Sequence, residues 1–258
     1  MMRHFSHYLA SFFVIILGLY FNACDSKDEF DAMGMFEADE VLVSTEIGGK
    51  ILSFPIKEGE YLTHGQKVAQ IDTHNLVLSE QKLQAQIDNA KREQERMRRL
   101  VKANAGIKKN LDDAEFYADL LQKELAILQD KIQKGSIISP INGVVLEKYA
   151  FEGELSAPNK ALFKIADTQT LRLKAYLIHD DITQIKLGDK VRIFSDFRQN
   201  YKEHEGVISW ISSKAEFTPK TIMTKDEREN LVYAIKVDVK NDGYLKIGSY
   251  GEIKLIRK

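Results

Sequence analysis

One cysteine stands among the 258 residues, so no internal disulfide can form and an exported fold must hold without one. Neither charge is in excess, with 37 basic side chains against 38 acidic ones; a nucleic-acid-binding protein needs a basic field that this chain lacks. Phosphate-loop, His-Glu-x-x-His and Gly-x-Ser-x-Gly patterns are absent, which removes the common sequence signs of nucleotide, zinc-protease and serine-hydrolase chemistry. His179-Asp180-Asp181 puts metal-ligand side chains in a row, but no second His or Cys falls at a helical or hairpin ligand spacing from it. Its expected use is to cap a short helical turn through Ile185. His64 and His74 flank a strand and read as solvated turn residues. The expectation is a protein with no catalytic residues, no cofactor and no metal.

Leu9 to Phe21 is an apolar run preceded by Arg3, His4 and His7, and it is shorter than the roughly 20 residues of a membrane-spanning helix. It reads as a signal peptide over residues 1–23. The closing Phe21-Asn22-Ala23-Cys24 resembles a bacterial lipobox, which implies lipid attachment at Cys24; an uncut signal anchor is the alternative. Either way the body is exported and tethered. Residues 24–37 are expected to form a lipidated leash, with the polar stretch Asp25 to Asp31 flexible.

What the chain has in quantity is helical periodicity. Alternate steps of four and three from Leu76 reach Glu80, Leu83, Ile87, Ala90, Gln94, Met97 and Val101. The same steps from Ile107 reach Leu111, Ala114, Ala118, Leu121, Leu125, Leu128 and Ile132. Each series is an a/d seam, and between them Asn104 or Gly106 can take the left-handed conformation that ends a helix. The spacing predicts an antiparallel coiled-coil hairpin over residues 73–135, each arm about 42 Å long and projecting into solvent. Arg96, Arg98, Arg99 and Lys102 end the first arm while Asp112, Asp113 and Glu115 open the second, signs that complement the helix dipoles.

The segments on either side of the hairpin repeat one another. Ile47, Gly49, Leu52, Glu58, Gly59, Glu60 and Ile71 recur 94 residues later as Ile141, Gly143, Leu146, Glu152, Gly153, Glu154 and Ile165. Each half carries a hairpin-turn signal, Gly48-Gly49 and then Asn142-Gly143. Residues 38–72 and 136–168 are therefore expected to pack as two halves of one sandwich, because neither half alone buries a face. These half-motifs resemble the biotinyl/lipoyl fold, in which a lysine in the turn between halves carries the cofactor. Here no Met-Lys-Met or Asp-Lys-Ala follows Ile71-Asp72, so no attachment point is expected.

From Leu171 the alternation resumes. Leu171, Leu173 and Ala175, then Val191 to Phe194, Val207 to Ile211, Leu231 to Val239 and Gly251 to Ile256 suit a small closed β-barrel over residues 169–258. The fold class is α+β: a split lipoyl β-sandwich with an inserted hairpin, then a barrel. With the signal and lipobox, this arrangement is similar to the periplasmic adaptors, or membrane fusion proteins (HlyD-like), of tripartite efflux and type I secretion systems. Ala215-Glu216-Phe217-Thr218-Pro219-Lys220, Thr224 to Arg228 and Leu231 to Val237 resemble adaptors that partner ABC-type exporters. The chain stops with the barrel at Lys258, so no membrane-proximal domain is expected.

The resemblance implies a non-enzymatic adaptor in the periplasm of a Gram-negative envelope, tethered to the inner membrane by its lipid. Its implied partners are an inner-membrane ABC permease, which supplies the energy, an outer-membrane duct, and further copies of itself in a ring. It also implies duct contact at the hairpin tip through an Arg-x3-Leu-x6-Ser/Thr pattern, matched here by Arg96 and Leu100, with Ile107 at the Ser/Thr position. Two other readings stand beside it: a biotin or lipoate carrier subunit, and a coiled-coil envelope protein without a role in transport.

Overall fold

The computed structural model describes residues 30–198, 200–217 and 231–256; the signal run, Cys24, and Thr218 to Asn230 lie outside them. The chain forms two compact units, one of Glu37–Arg172 with Lys240–Ile247, the other of the residues up to Phe36, Leu173–Val239 and the residues from Gly248.

The first described strand, β1 (Ala32–Glu37), belongs to the second unit and is taken up with it below. In the first unit β2 (Glu40–Ser44), β3 (Gly49–Ser53), β4 (Tyr61–Leu62) and β5 (Lys67–Ile71) precede the helices, and β6 (Ser136–Ile138), β7 (Gly143–Lys148), β8 (Leu155–Ser156) and β9 (Ala161–Ala166) follow them. Two four-stranded sheets result, in the orders β2-β9-β7-β4 and β6-β5-β3-β8. Shifting each strand by 94 residues into the opposite half turns the first order into the second, so both sheets draw strands from both halves.

The hydrogen bonds obey the same symmetry. Gly59 N–H donates to Val145 O and Gly153 N–H to Ile51 O, both at 2.8 Å. Val145 N–H donates to Glu60 O and Ile51 N–H to Glu154 O. The repeated Glu-Gly-Glu is thus the turn that clasps the opposite half, and its glycines are required by their positive φ of 82° and 89°. Phe54 and Phe163, with ring centroids 6.0 Å apart, sit in a core with Ile51, Leu62, Ile71, Leu162 and Ile165.

One local expectation is corrected. Gly48-Gly49 and Asn142-Gly143 do not form two-residue hairpins, because β2 and β3, like β6 and β7, lie in different sheets. The second glycine of each pair is needed for close approach: a Cβ on Gly143 would lie 2.4 Å from Ala166 O, and one on Gly49 2.8 Å from Asp72 O.

Between β5 and β6 stand α1 (His74–Lys102) and α2 (Lys108–Gln133), about 43 and 39 Å long at 1.5 Å per residue. Every expected seam position except Ile107 is buried or half-buried, with Ile87, Ala90, Ala118 and Leu121 as the core and Leu83 and Leu125 packed against it. The polar seam residue Glu80 accepts a bond from Gln129 Nε2 at 2.8 Å. At the base, Leu76 packs on the sandwich core, Ile71 N–H donates to Gly135 O, and Lys134 Nζ lies 2.9 Å from Glu46 and 3.0 Å from Asp130.

The second unit is a closed barrel. Its strands β10 (Thr170–Ile178), β11 (Lys190–Phe197), β12 (Asn200–Ile211), β14 (Leu231–Lys240) and β15 (Tyr250–Leu255) join β1 in the cyclic order β10-β1-β15-β11-β12-β14, and β13 (Glu216–Phe217) pairs with β14. The inward alternation of Leu171, Leu173, Ala175 and Leu177 is complete. The leash expected through Glu37 is corrected, because Ala32 to Met35 pair with Ile253 to Tyr250. The barrel therefore opens before the sandwich and is not confined to residues 169–258. Gly34 allows this, since a Cβ there would lie 2.1 Å from Lys174 O of β10.

Candidate functional site

The hairpin end is built by its turn. Ala103 N–H donates to Arg99 O, Asn104 N–H to Val101 O and Ala105 N–H to Leu100 O, while Asn104 takes φ 53° and reverses the chain as a left-handed cap. Gly106 serves differently. A Cβ on it would lie 2.9 Å from Leu100 Cβ, so its smallness lets the turn close onto α1.

Arg96 and Leu100, one turn apart, share a face of α1 away from the seam. Arg96 is exposed and pairs with Glu93 at 2.7 Å, one turn back toward the base. Glu93 raises the guanidinium pKa, first through the hydrogen bond and then through its charge, so Arg96 is a permanent cation whose exposed pair can be exchanged at little cost. Leu100 is 39% exposed. Ile107, 67% exposed, is the N-cap residue of α2 in extended conformation and supplies no side-chain cap bond. The structure thus places Arg96 and Leu100 on one face and Ile107 across the turn at the head of α2.

Two charge expectations meet the structure differently. Arg99 and Lys102 do lie in the last turn of α1. The first turn of α2 contains no acidic residue, so Asp112, Asp113 and Glu115 stand beyond the range of its dipole. Glu115 instead crosses the hairpin to Arg98 Nη2 at 2.9 Å.

The outer face of α2 lies off the seam. Phe116, Tyr117, Leu120 and Ile127 are large, exposed and off the seam. Phe116, Leu120 and Ile127, spaced by four and seven residues, lie along one flank that is legible in the sequence once the seam positions are set aside.

Elsewhere the motif residues have local uses. His64 N–H donates to Asn142 Oδ1 at 2.8 Å, linking the two halves, and His74 opens α1 with its N–H on Asp72 Oδ1. His179, Asp180 and Asp181 lie inside a short helix, His179–Ile182, whose N-cap is Ile178 with no side-chain bond; their expected capping role is corrected accordingly. Among the described residues no group of three or more His, Cys, Asp or Glu is placed to hold a metal, and no helix is long and apolar enough to cross a membrane. Cys24 and most of the exporter-like stretch, Thr218 to Arg228, fall outside the described residues.

No family model matches the chain. A UPF0194 membrane protein of Citrobacter koseri is 28% identical over 272 aligned positions, covering 80% of this chain and 82% of that protein. A MacA–MexA chimera containing the Pseudomonas aeruginosa MexA α-hairpin domain superposes with a TM-score of 0.72 at 22% identity, over 87% of this chain and 80% of the other. The membrane fusion protein Spr0693 of Streptococcus pneumoniae R6 gives 0.68 at 16% identity, over 88% and 99%. The chain therefore has the fold of a membrane fusion protein. The resemblance read from the repeat and the hairpin thus extends to the three-dimensional arrangement. In this chain the barrel closes through a strand that precedes the sandwich.

Proposed function

We propose that the chain is a non-enzymatic adaptor that links an inner-membrane ABC-type exporter to an outer-membrane duct. In this reading it is held at the periplasmic face of the inner membrane by a lipid on Cys24, assembles with further copies of itself, and contacts the duct through Arg96, Leu100 and Ile107. The observation that carries the reading is the hairpin. Its buried seam residues form a cluster separate from the sandwich core, so two helices of about 40 Å extend from a sandwich whose core the hairpin meets at its base, through Leu76. Such an arm has reach and exposed surface as its product, which suits docking better than folding. The carrier alternative lacks support: β5 enters α1 through Asp72 and Thr73, with no lysine between Ile71 and His74.

The test is co-purification of partners with the tagged full chain from detergent-solubilised envelopes. Arg96→Glu with Leu100→Asp is expected to keep helical content while losing the duct and abolishing export. Normal export by this variant refutes tip docking. Ile107→Ser adds a capping hydroxyl and is expected to strengthen duct recovery.

A further inference from the structure

We infer that the turn at residues 186–189, at one end of the barrel, rests in the headgroup boundary of the lipid bilayer with Leu187 inserted at its apex and Ile185 and Ile256 beside it. The inference rests on the tethering part of the adaptor reading and adds a second membrane contact, made by the folded barrel itself.

Five turns among the described residues share one construction: the fourth N–H donates to the first carbonyl and the third residue has a positive φ. They begin at Lys57, Thr63, Phe151, Ala157 and Lys186. Their second residues are Glu58, His64, Glu152, Pro158 and Leu187. A solvent-facing corner of this kind favours proline or polar side chains at that position, and Leu187 departs from the rule while standing 68% exposed. The turn does not need it. Lys186 N–H donates to Asp189 Oδ2 at 2.7 Å, Asp189 N–H to Lys186 O, and Gly188 N–H to Ile208 O of β12. An apolar side chain is thus held out on a corner that its own hydrogen bonds make rigid.

The corner lies where the tether joins. Strands β1 and β11 both run antiparallel to β15, with Ala32 opposite Ile253 and Val191 opposite Leu255. The start of β1, the start of β11 with the turn before it, and the end of β15 therefore stand at one end of the barrel. Ile185, Lys186 and Ile256 line an open cleft there of about 790 Å³, with the buried Val191 and Leu255 also in its wall. Ile256 is 56% exposed. Asp31 is clamped to the same end, its N–H donating to Ile253 O and its Oδ2 accepting from Leu255 N–H. From Cys24 to Phe30 the chain spans at most about 21 Å, at about 3.5 Å per residue. A lipid on Cys24 accordingly keeps this end of the barrel close to the membrane.

The size of the patch favours a bilayer over a protein partner. A stable protein interface takes about 800 Å² from each side, more than one turn and one strand end present, whereas a bilayer accepts single apolar side chains without shape complementarity. The tether makes the contact intramolecular, so a few such side chains suffice. Lys186 has no ion-pair partner among the described residues and suits a lipid phosphate, and Arg257 and Lys258 follow Ile256 in the sequence. Against them stand Asp180 and Asp181 of the short helix, Asp189, which accepts the Lys186 N–H, and Glu205, paired with Lys190 at 2.6 Å. Charge at this end is close to balance, so insertion of Leu187 and not attraction to anionic lipid drives the contact.

The test reads immersion at position 187. Trp210 is the one tryptophan of the chain, so Trp210→Phe with Leu187→Trp carries a single reporter at the apex. Trp210→Phe with Tyr250→Trp carries one at the start of β15, about 20 Å along that strand from Ile256. Each full chain is reconstituted into phosphatidylcholine vesicles, without exporter or duct, with lipids brominated high on the acyl chain as quencher. The reporter at position 187 is expected to shift to the blue and lose emission to the quencher, and the one at position 250 to do neither. An unquenched reporter at position 187, or equal quenching of both, overturns the contact. Lipids brominated near the acyl terminus are expected to quench less; stronger quenching by them overturns a seat at the headgroup boundary. Both reporter sites are exposed, so melting temperatures matching the parent are expected to accompany these results. A chain held by an uncut signal run instead of a lipid faces the same test. With no partner present, failure here counts against the membrane contact alone, and loss of duct and exporter recovery with quenching intact counts against the adaptor reading alone.

Discussion

Leu121 and Leu100 are both leucines of the hairpin, and truncating each to alanine separates what holds the arm together from what it presents. Leu121 is buried with Ile87, Ala90 and Ala118. Removing its three outer carbons loses about 2 kcal/mol, the low end of the range for buried leucines, because a two-helix seam can close over the gap. Leu100 is already 39% exposed, and its truncation is expected to cost under about 1 kcal/mol. Since the seam cluster is separate from the sandwich core, the loss should be felt as local opening of the hairpin. Hydrogen exchange followed by mass spectrometry on the full chain reads this directly. Leu121→Ala is expected to speed exchange in the middle of α1 and α2 about thirtyfold, the factor that corresponds to about 2 kcal/mol, while peptides of β7 and β9 keep the parent rate. Equal acceleration by Leu100→Ala, or acceleration that spreads into the sandwich, would refute the claim that the arm is stabilised by its own seam.

Gly143→Ala drives a Cβ to 2.4 Å from Ala166 O and is expected to lower the melting temperature of the sandwich more than Gly59→Ala, where there is open space and only the positive φ is strained, at about 1 kcal/mol. Glu252 has a buried Oε2 with no hydrogen-bond partner among the described residues, and burial first, then the charge of Asp196, raises its pKa against a weaker lowering by Tyr201. Its contribution is thus fully present below the ordinary glutamate pKa and lost as pH rises through the folded value; Glu252→Gln is expected to raise thermal stability at neutral pH and to leave it unchanged below about pH 4. Cys24→Ser is expected to leave a non-acylated precursor of higher mass, and identical processing in mutant and parent would favour a signal anchor. Intact mass of the chain expressed with biotin and lipoate ligases is expected to show neither group; either one on a lysine supports the carrier reading.

How much of this was legible depends on the range of the signal. The hairpin was, because helical periodicity is local, and all but one of the seam residues from Leu76 to Ile132 are buried or half-buried. The sandwich was, because a 94-residue repeat carries its own pairing information: whatever Gly59 does to one half, Gly153 must do to the other. Strand β1 was not. Ala32-Met33-Gly34-Met35-Phe36 lacks β-branched residues, and its pairing partner lies more than 200 residues away at Ile253, so neither local propensity nor repetition marks it. The turn at the tip was half legible. Asn104 and Gly106 are both credible helix enders, and only the packing of Gly106 against Leu100 Cβ decides that Asn104 takes the positive φ. The stripe on α2 was present in the sequence but hidden by the success of the seam, since an a/d pattern accounts for a helix without asking what its other faces carry.

The insertion point explains why such an arm can exist at all. Strands β5 and β6 are antiparallel neighbours, with Gln70 opposite Ser136, so the chain leaves and re-enters the sandwich at adjacent points. A hairpin joined there adds little loop-closure cost however long it grows, because its own helices hold the ends together. Gly135 fits under Thr73 Cγ2, where a Cβ would come within 2.3 Å, and Lys134 bridges Glu46 of the sandwich to Asp130 of α2. Its ammonium pKa is raised by the hydrogen bonds to Glu46 and then Asp130. The base is therefore sterically and electrostatically tied to the sandwich, while the tip, more than six helical turns away, is held within the hairpin by its turn, the end of the seam and the Arg98–Glu115 bond. Residues such as Arg96, Leu100 and Phe116 are thereby freed from any duty to the fold. What selects them is left to the surfaces they meet, which is why substitutions at those positions should alter assembly and docking and leave the sandwich and the barrel unchanged.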